Sequence, residues 1–193
     1  KDIRKSEIIE HPSYVNELAH YIMQDLKEFR KIQGDDTLGG MIICETSEQA
    51  RRLYDVFQEE WQKYQPKPIK IKLPDGTFVV GEPEVDYKSK YRPLKAGIIL
   101  HDTDDKETRK QTVKDFKKNM TVDILIVFNM LLTGFDAPRL KRLYFGRKLK
   151  DHNLLQAITR VNRPYPGMRY GFVIDFADIK RNFKETNEAY LQE

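Results

Sequence analysis

The stretch DILIVFNMLLTGFDAPRLKRLYFGRKLKDHNLLQAITRVNRPY (Asp123–Tyr165) decides the fold class. Its opening run, DILIVF (Asp123–Phe128), is wholly apolar after the aspartate, too short for a helix, and closed by Asn129, which reads as a fully buried strand. A second strand follows at RLYFG (Arg142–Gly146). Leu154, Ile158 and Val161 then recur at helical spacing, so Asn153–Arg163 is expected to be a helix that Pro164 ends, with Arg163 in its last turn.

Working outward, three more short apolar runs repeat the strand signal: MIIC (Met41–Cys44), AGIIL (Ala96–Leu100) and YGFVIDF (Tyr170–Phe176). Helical patterns alternate with them. Tyr14, Leu18, Tyr21, Ile22, Leu26 and Phe29 form the apolar stripe of a helix over Tyr14–Ile32. Thr46 and Gln49 resemble a capping box opening a second helix, with Ala50, Leu53, Tyr54, Phe57 and Trp61 on one face. A charged helix over Lys106–Lys118 turns Val113 and Phe116 inward, and the polar tail from Asp178 is expected to be helical. Strands alternating with helices predict an α/β domain whose mainly parallel sheet, of five or six strands, carries helices on both faces. Ligands of such sheets bind outside the carboxyl ends of the strands, which sends the search for function to the loops there.

Composition sets outer bounds. The chain has 193 residues, 39% hydrophobic and 33% charged, with no apolar run near the ~18 residues a bilayer-spanning helix needs. Lys1–Glu10 is charged, unlike a signal peptide, and the absence of an initiator Met suggests a piece of a longer protein. The net charge of +4 permits contact with nucleic acid phosphates but is only a modest excess. The single cysteine, Cys44, excludes an internal disulfide, fits a reducing compartment and reads as a small buried hydrophobe. His11, His20, His101 and His152 lack metal-site spacing, so no residue is assigned to a metal. Residues 65–93 crowd five prolines among lysines and read as an irregular insertion, with TFVV (Thr77–Val80) the one strand-like run and a hairpin the expected form.

Two loop-bearing segments carry the chemistry. In NMLLTGFDAPRL (Asn129–Leu140), Thr133 offers a hydroxyl donor and Gly134 a main-chain amide with no side chain in the way, a pair suited to a phosphate. Asp136 and Pro138 follow, and an ordinary turn is the plain alternative. In NLLQAITRVNRPY (Asn153–Tyr165), Gln156, Arg160 and Arg163 are spaced by four and three and share a stripe opposite Leu154, Ile158 and Val161. An arginine's charge is permanent and its planar fork matches phosphate oxygens, although arginines at a helix C-terminus also simply complement the dipole.

The combination, a Thr-Gly-x-Asp loop and then a helix with Gln-x-x-x-Arg-x-x-Arg, resembles the second RecA-like lobe of superfamily 2 helicases and translocases. MLLTGFDAP, LLQAITRVNRPY and YGFVIDF together are most similar to the second motor lobe of the R (restriction) subunit of type I restriction enzymes, over roughly residues 38–178. Thr159 stands where the motif's usual glycine precedes the first arginine. The resemblance implies a RecA-like lobe at 38–178, a helical lead-in from the preceding lobe at 1–37 and a helical tail at 179–193. It implies that Thr133 and Gly134 contact the DNA backbone, that Gln156, Gly134 and Asp136 face ATP, and that Arg160 and Arg163 are catalytic, reaching the γ-phosphate.

No Gly-x-x-x-x-Gly-Lys-Ser/Thr loop occurs in the chain, so ATP and Mg²⁺ are expected to be held mainly by the preceding lobe, and this lobe alone is expected to be inactive. The implied partners are double-stranded DNA, the preceding motor lobe and nuclease domain of the same chain, and the modification and specificity subunits. A cytoplasmic location is implied, with no membrane contact. Pro74-Asp75 and Asp86-Tyr87-Lys88 match a loose magnesium-nuclease pattern but lack the flanking strands that would fix such a site. Other readings are a repair or remodelling translocase lobe of the same superfamily, a RecA-like domain kept for docking, and a plain nucleic-acid-binding module.

Overall fold

A computed structural model of the chain describes residues 5–64, 69–73, 76–81, 92–100, 105–129, 135–149 and 151–177. A short helix α1 (Lys5–Ile9) leads into α2 (Pro12–Gln33), β1 (Gly39–Ile43) and α3 (Ser47–Tyr64). A hairpin, β2 (Ile69–Lys72) and β3 (Phe78–Gly81), precedes β4 (Ala96–Ile99) and α4 (Lys106–Lys114). A single π turn (Asp115–Asn119) continues α4, and β5 (Ile124–Val127), β6 (Leu140–Phe145), α5 (Asp151–Val161) and β7 (Phe172–Asp175) complete the order.

The five strands expected from the apolar runs form one sheet in the order β4-β5-β1-β6-β7, with every pairing parallel. Because side chains alternate along a strand, β1 divides its own residues between two cores. Ile42 faces α2 and α3, packing with Leu18, Ile22, Leu26, Leu53 and Phe57. Met41 and Ile43 face the other way, with Phe116, Leu143, Phe145 and, on α5, Leu154, Ala157 and Val161. Cys44 is wholly buried, as its apolar surroundings predict. The expected hairpin is antiparallel, pairing Ile69 with Gly81 and Lys72 with Phe78. The carboxylates and lysine of the nuclease-like pattern lie outside the described residues, as does the tail from residue 178.

Local chemistry explains the element ends. Gly34 closes α2 in the left-handed region at φ 68°, and its N–H donates to the carbonyls of Arg30 and Lys31. Thr46 Oγ1 accepts from the Gln49 N–H at 3.0 Å, while Gln49 Oε1 accepts from the Glu45 N–H at 2.9 Å, one residue earlier than a standard capping box. Asp105 caps α4 by accepting from the Thr108 N–H at 2.8 Å.

One expectation is corrected. Helix α5 ends at Val161, so Arg163 stands beyond its last turn; a residue before proline is pushed out of the helical region by the pyrrolidine ring, and the helix stops short of it. At the edge strand β7, Phe172 and Val173 are 44% and 36% exposed, and the Phe172 ring meets that of Phe29 on α2 with 5.4 Å between centroids. The segment before residue 38 is packed into the same core, with Arg30 Nη2 on the Asp123 carboxylate at 2.9 Å and Arg142 Nε on Asp25 at 2.7 Å.

Candidate functional site

All the strands of the sheet run the same way, so their carboxyl ends, and the loops that leave them, share one edge. Strand β5 leaves that edge through Phe128 and Asn129, a non-glycine residue at φ 53°. Such a conformation is uncommon and clusters at functional loops. Thr133 and Gly134 lie in the next five residues, outside the described ones. The chain re-enters at Phe135, which is buried, and Asp136, which is exposed, before Ala137 and Pro138 lead into β6.

Helix α5 places its apolar residues inward as expected for Leu154 and Val161, with Ala157 completing the stripe and Ile158 only partly buried. The opposite stripe meets the loop before β6. Arg160 Nη1 donates to the Phe135 carbonyl at 2.9 Å. Arg163 Nε lies 3.4 Å from Asp136 Oδ1, both side chains being about half exposed or more, at 47% and 60%. The two motif segments, read separately in the sequence, thus meet residue by residue at 135–136 and 160–163. Gln156 Nε2 is hydrogen-bonded to His152 Nε2, while its Oε1 is buried without a partner among the described residues. An unsatisfied buried acceptor costs about 1–3 kcal/mol, and a donor arriving from outside would recover that.

Several residues that hold this arrangement escaped the sequence reading. Arg139 is buried, with Nε on the Thr37 carbonyl at 2.5 Å and Nη1 on the carbonyls of Phe116 and Val122 at 2.6 and 2.9 Å. Burial, followed by the neighbouring Arg30 charge, lowers its pKa to about 10. It fixes the loop immediately after Asp136 by cross-linking it to the start of the sheet. Lys141, on β6, is fully buried and donates to the carbonyls of Val161 (3.4 Å) and Arg163. Arg147, just past β6, donates to Asn129 Oδ1 and sits 5.9 Å from the Phe128 ring centroid. The one local signal for Lys141 was a lysine in step with Leu143 and Phe145, on what periodicity makes the apolar face.

Residues 86–178 match the family described as type I restriction enzyme subunit R domain 3. A putative type I restriction enzyme MjaVIIIP endonuclease subunit of Methanocaldococcus jannaschii is 31% identical over 199 residues, taking in 97% of this chain and 18% of that protein. The putative MjaVIIP endonuclease subunit of the same organism is 47% identical over 77 residues, 40% of this chain and 7% of that one. The chain therefore spans less than a fifth of the length of these relatives. Among solved structures, the second domain of the DEAD-box helicase Mss116p, bound to an RNA duplex, matches with a TM-score of 0.58 at 16% identity, covering 95% of this chain and 57% of that one. At that identity the likeness concerns the fold.

Proposed function

We propose that this chain is the second RecA-like lobe of a type I restriction enzyme R subunit, of the superfamily 2 kind, and that it completes the ATP site of a DNA translocase. Arg163 and Arg160 are the groups that meet the γ-phosphate, Gln156, Gly134 and Asp136 face the nucleotide, and Thr133 and Gly134 hold a DNA phosphate. The observation that carries this reading is the convergence of Arg160 and Arg163 on Phe135 and Asp136 at one edge of the sheet. Two cationic side chains are thereby held against the segment that continues the phosphate-suited loop.

The chemistry follows from the strength of those contacts. An exposed ion pair such as Arg163–Asp136 contributes about 0–1 kcal/mol, so the guanidinium leaves Asp136 readily for a more highly charged partner. There it offsets charge developing on the transferred phosphoryl group, which for such an arginine is worth about 10³–10⁵ in rate. Asp136 follows Thr133 and Gly134 in the same short stretch of sequence, and the change of partner at Asp136 couples nucleotide state to grip on DNA. Arg160, bonded to the Phe135 main-chain carbonyl, keeps α5 docked on that loop while Arg163 exchanges partners. Mg²⁺, when bound, neutralises the phosphate oxygens; its ligands and the phosphate cradle belong to the preceding lobe, since this sequence has no phosphate-binding loop.

Assembly with modification and specificity subunits, a nuclease domain earlier in the same chain and a cytoplasmic location complete the proposal. No helix among the described residues is long and apolar enough to cross a membrane. The test is DNA-stimulated ATP hydrolysis by the full-length parent protein, wild type against Arg163→Ala. Turnover is expected to fall by about two orders of magnitude or more with ATP binding retained. Near-normal turnover would reduce Arg163 to a solvated residue past a helix end and overturn the proposal.

A further inference from the structure

We propose that Lys141 is a positioning residue for Arg163: its buried ammonium clamps the carbonyls of Val161 and Arg163 and fixes the backbone from which the guanidinium projects. This rests on the arginine-finger role proposed above.

A fully buried lysine is rare, because moving its charge out of water costs several kcal/mol unless strong partners await it. Here the described partners are two main-chain carbonyls. The carbonyl of Val161 belongs to the last residue of α5, where a cation also meets the negative end of the helix dipole. That of Arg163 lies beyond the helix, so the ammonium ties the helix end to the turn after it. Helix ends ordinarily satisfy such carbonyls with water or a glycine cap, at no comparable desolvation cost. The costly device therefore stands at the one turn that bears Arg163. A second close contact restrains the same place: Gly171, just before β7, packs against the Val161 main chain so tightly that a Cβ there would lie 2.3 Å from its carbonyl oxygen. The turn continues into Tyr165, whose hydroxyl is 2.7 Å from Thr37 Oγ1. Arg163 itself, half exposed and paired at 3.4 Å, has little of its own to hold it. Its direction is set by the backbone that Lys141 holds.

The experiment is a double-mutant cycle in the full-length parent protein, measuring kcat and KM for ATP with saturating DNA. Lys141→Met keeps an unbranched stem of nearly the same length and removes the ammonium. It is expected to lower kcat by about ten- to a hundredfold, the loss typical of a misplaced catalytic group, with KM little changed. In the Arg163→Ala background the same substitution is expected to change kcat by less than about twofold, because nothing remains to be positioned. An equal loss in both backgrounds, or wild-type kcat in Lys141→Met, overturns the positioning role while leaving the finger intact. Normal turnover in Arg163→Ala alone overturns the finger and the positioning role together. Should Lys141→Met not accumulate folded, Lys141→Gln retains an uncharged N–H donor group and is held to the same criterion, a loss of kcat confined to the Arg163 background.

Discussion

Replacing Gly171 by alanine tests the join between β7 and α5 on which the site depends. The added Cβ would stand 2.3 Å from the Val161 carbonyl oxygen and 2.4 Å from its Cβ, so main chain must yield rather than a flexible tip. Ordinary contact begins near 3.4 Å, and one of the two segments must therefore retreat by about 1 Å. Overpacking of this kind costs about 1–3 kcal/mol. For a chain of this size each kcal/mol lowers Tm by roughly 2–4 °C, so a drop of about 2–12 °C is expected in thermal unfolding followed by circular dichroism. The retreat also moves the turn bearing Arg163, and for the arginine finger proposed above a displacement of about 1 Å can cost about a hundredfold in rate. DNA-stimulated ATP hydrolysis by the parent protein carrying Gly171→Ala should accordingly fall well beyond what the loss of stability explains. An alanine variant that melts within a degree or so of wild type and turns over normally would show that β7 and α5 have slack between them, and the argument from close approach would fail.

Two further expectations concern stability and reactivity. Burial alone would raise the Asp25 carboxyl, but hydrogen bonds from Arg142 and Tyr144 outweigh it and hold the pKa below the usual range. A depressed carboxylate contributes stability above its unfolded pKa of about 4 and loses it as pH falls through the folded value. Asp25→Asn should thus cost about 2 kcal/mol at neutral pH, with the gap to wild type closing in acid; the same gap in urea titrations at both pH values would refute the assignment. Cys44 is buried, and burial pushes its thiol well above the ordinary range. A thiol reagent at pH 8 should label it only as fast as the chain opens, and rapid labelling of the native protein would contradict the core placement.

Much of the fold was legible because its signals are local. Each of the five sheet strands announces itself as a short apolar run, and α2 and α3 by a stripe at helical spacing, since burial on one or both faces leaves that imprint on neighbouring residues. The candidate residues Thr133, Gly134, Asp136, Gln156, Arg160 and Arg163 are singled out by type and spacing within two short stretches, and the structure brings Arg160 and Arg163 to Phe135 and Asp136. The π turn after α4 and the exposed edge at β7 were not legible, because each depends on what lies alongside in space rather than on the chain's own period. The end of α5 was misplaced by a local effect read too generously, for Pro164 restrains the residue before it as well as itself.

The sequence by itself determined the fold class, an α/β domain built on a parallel sheet, because apolar periodicity and Gly–Pro punctuation are properties of adjacent residues. Tertiary structure alone decided the strand order that sets β1 between β5 and β6, and with it the meeting of Arg160 and Arg163 with Phe135 and Asp136. It also decided that Lys141, an ordinary lysine in the sequence, lies buried against two carbonyls of the turn that carries Arg163. The physical reason is the same in each case: a hydrogen bond or an ion pair between distant residues has no period, and it exists only once the packing of the sheet has brought its two ends within 3 or so Å.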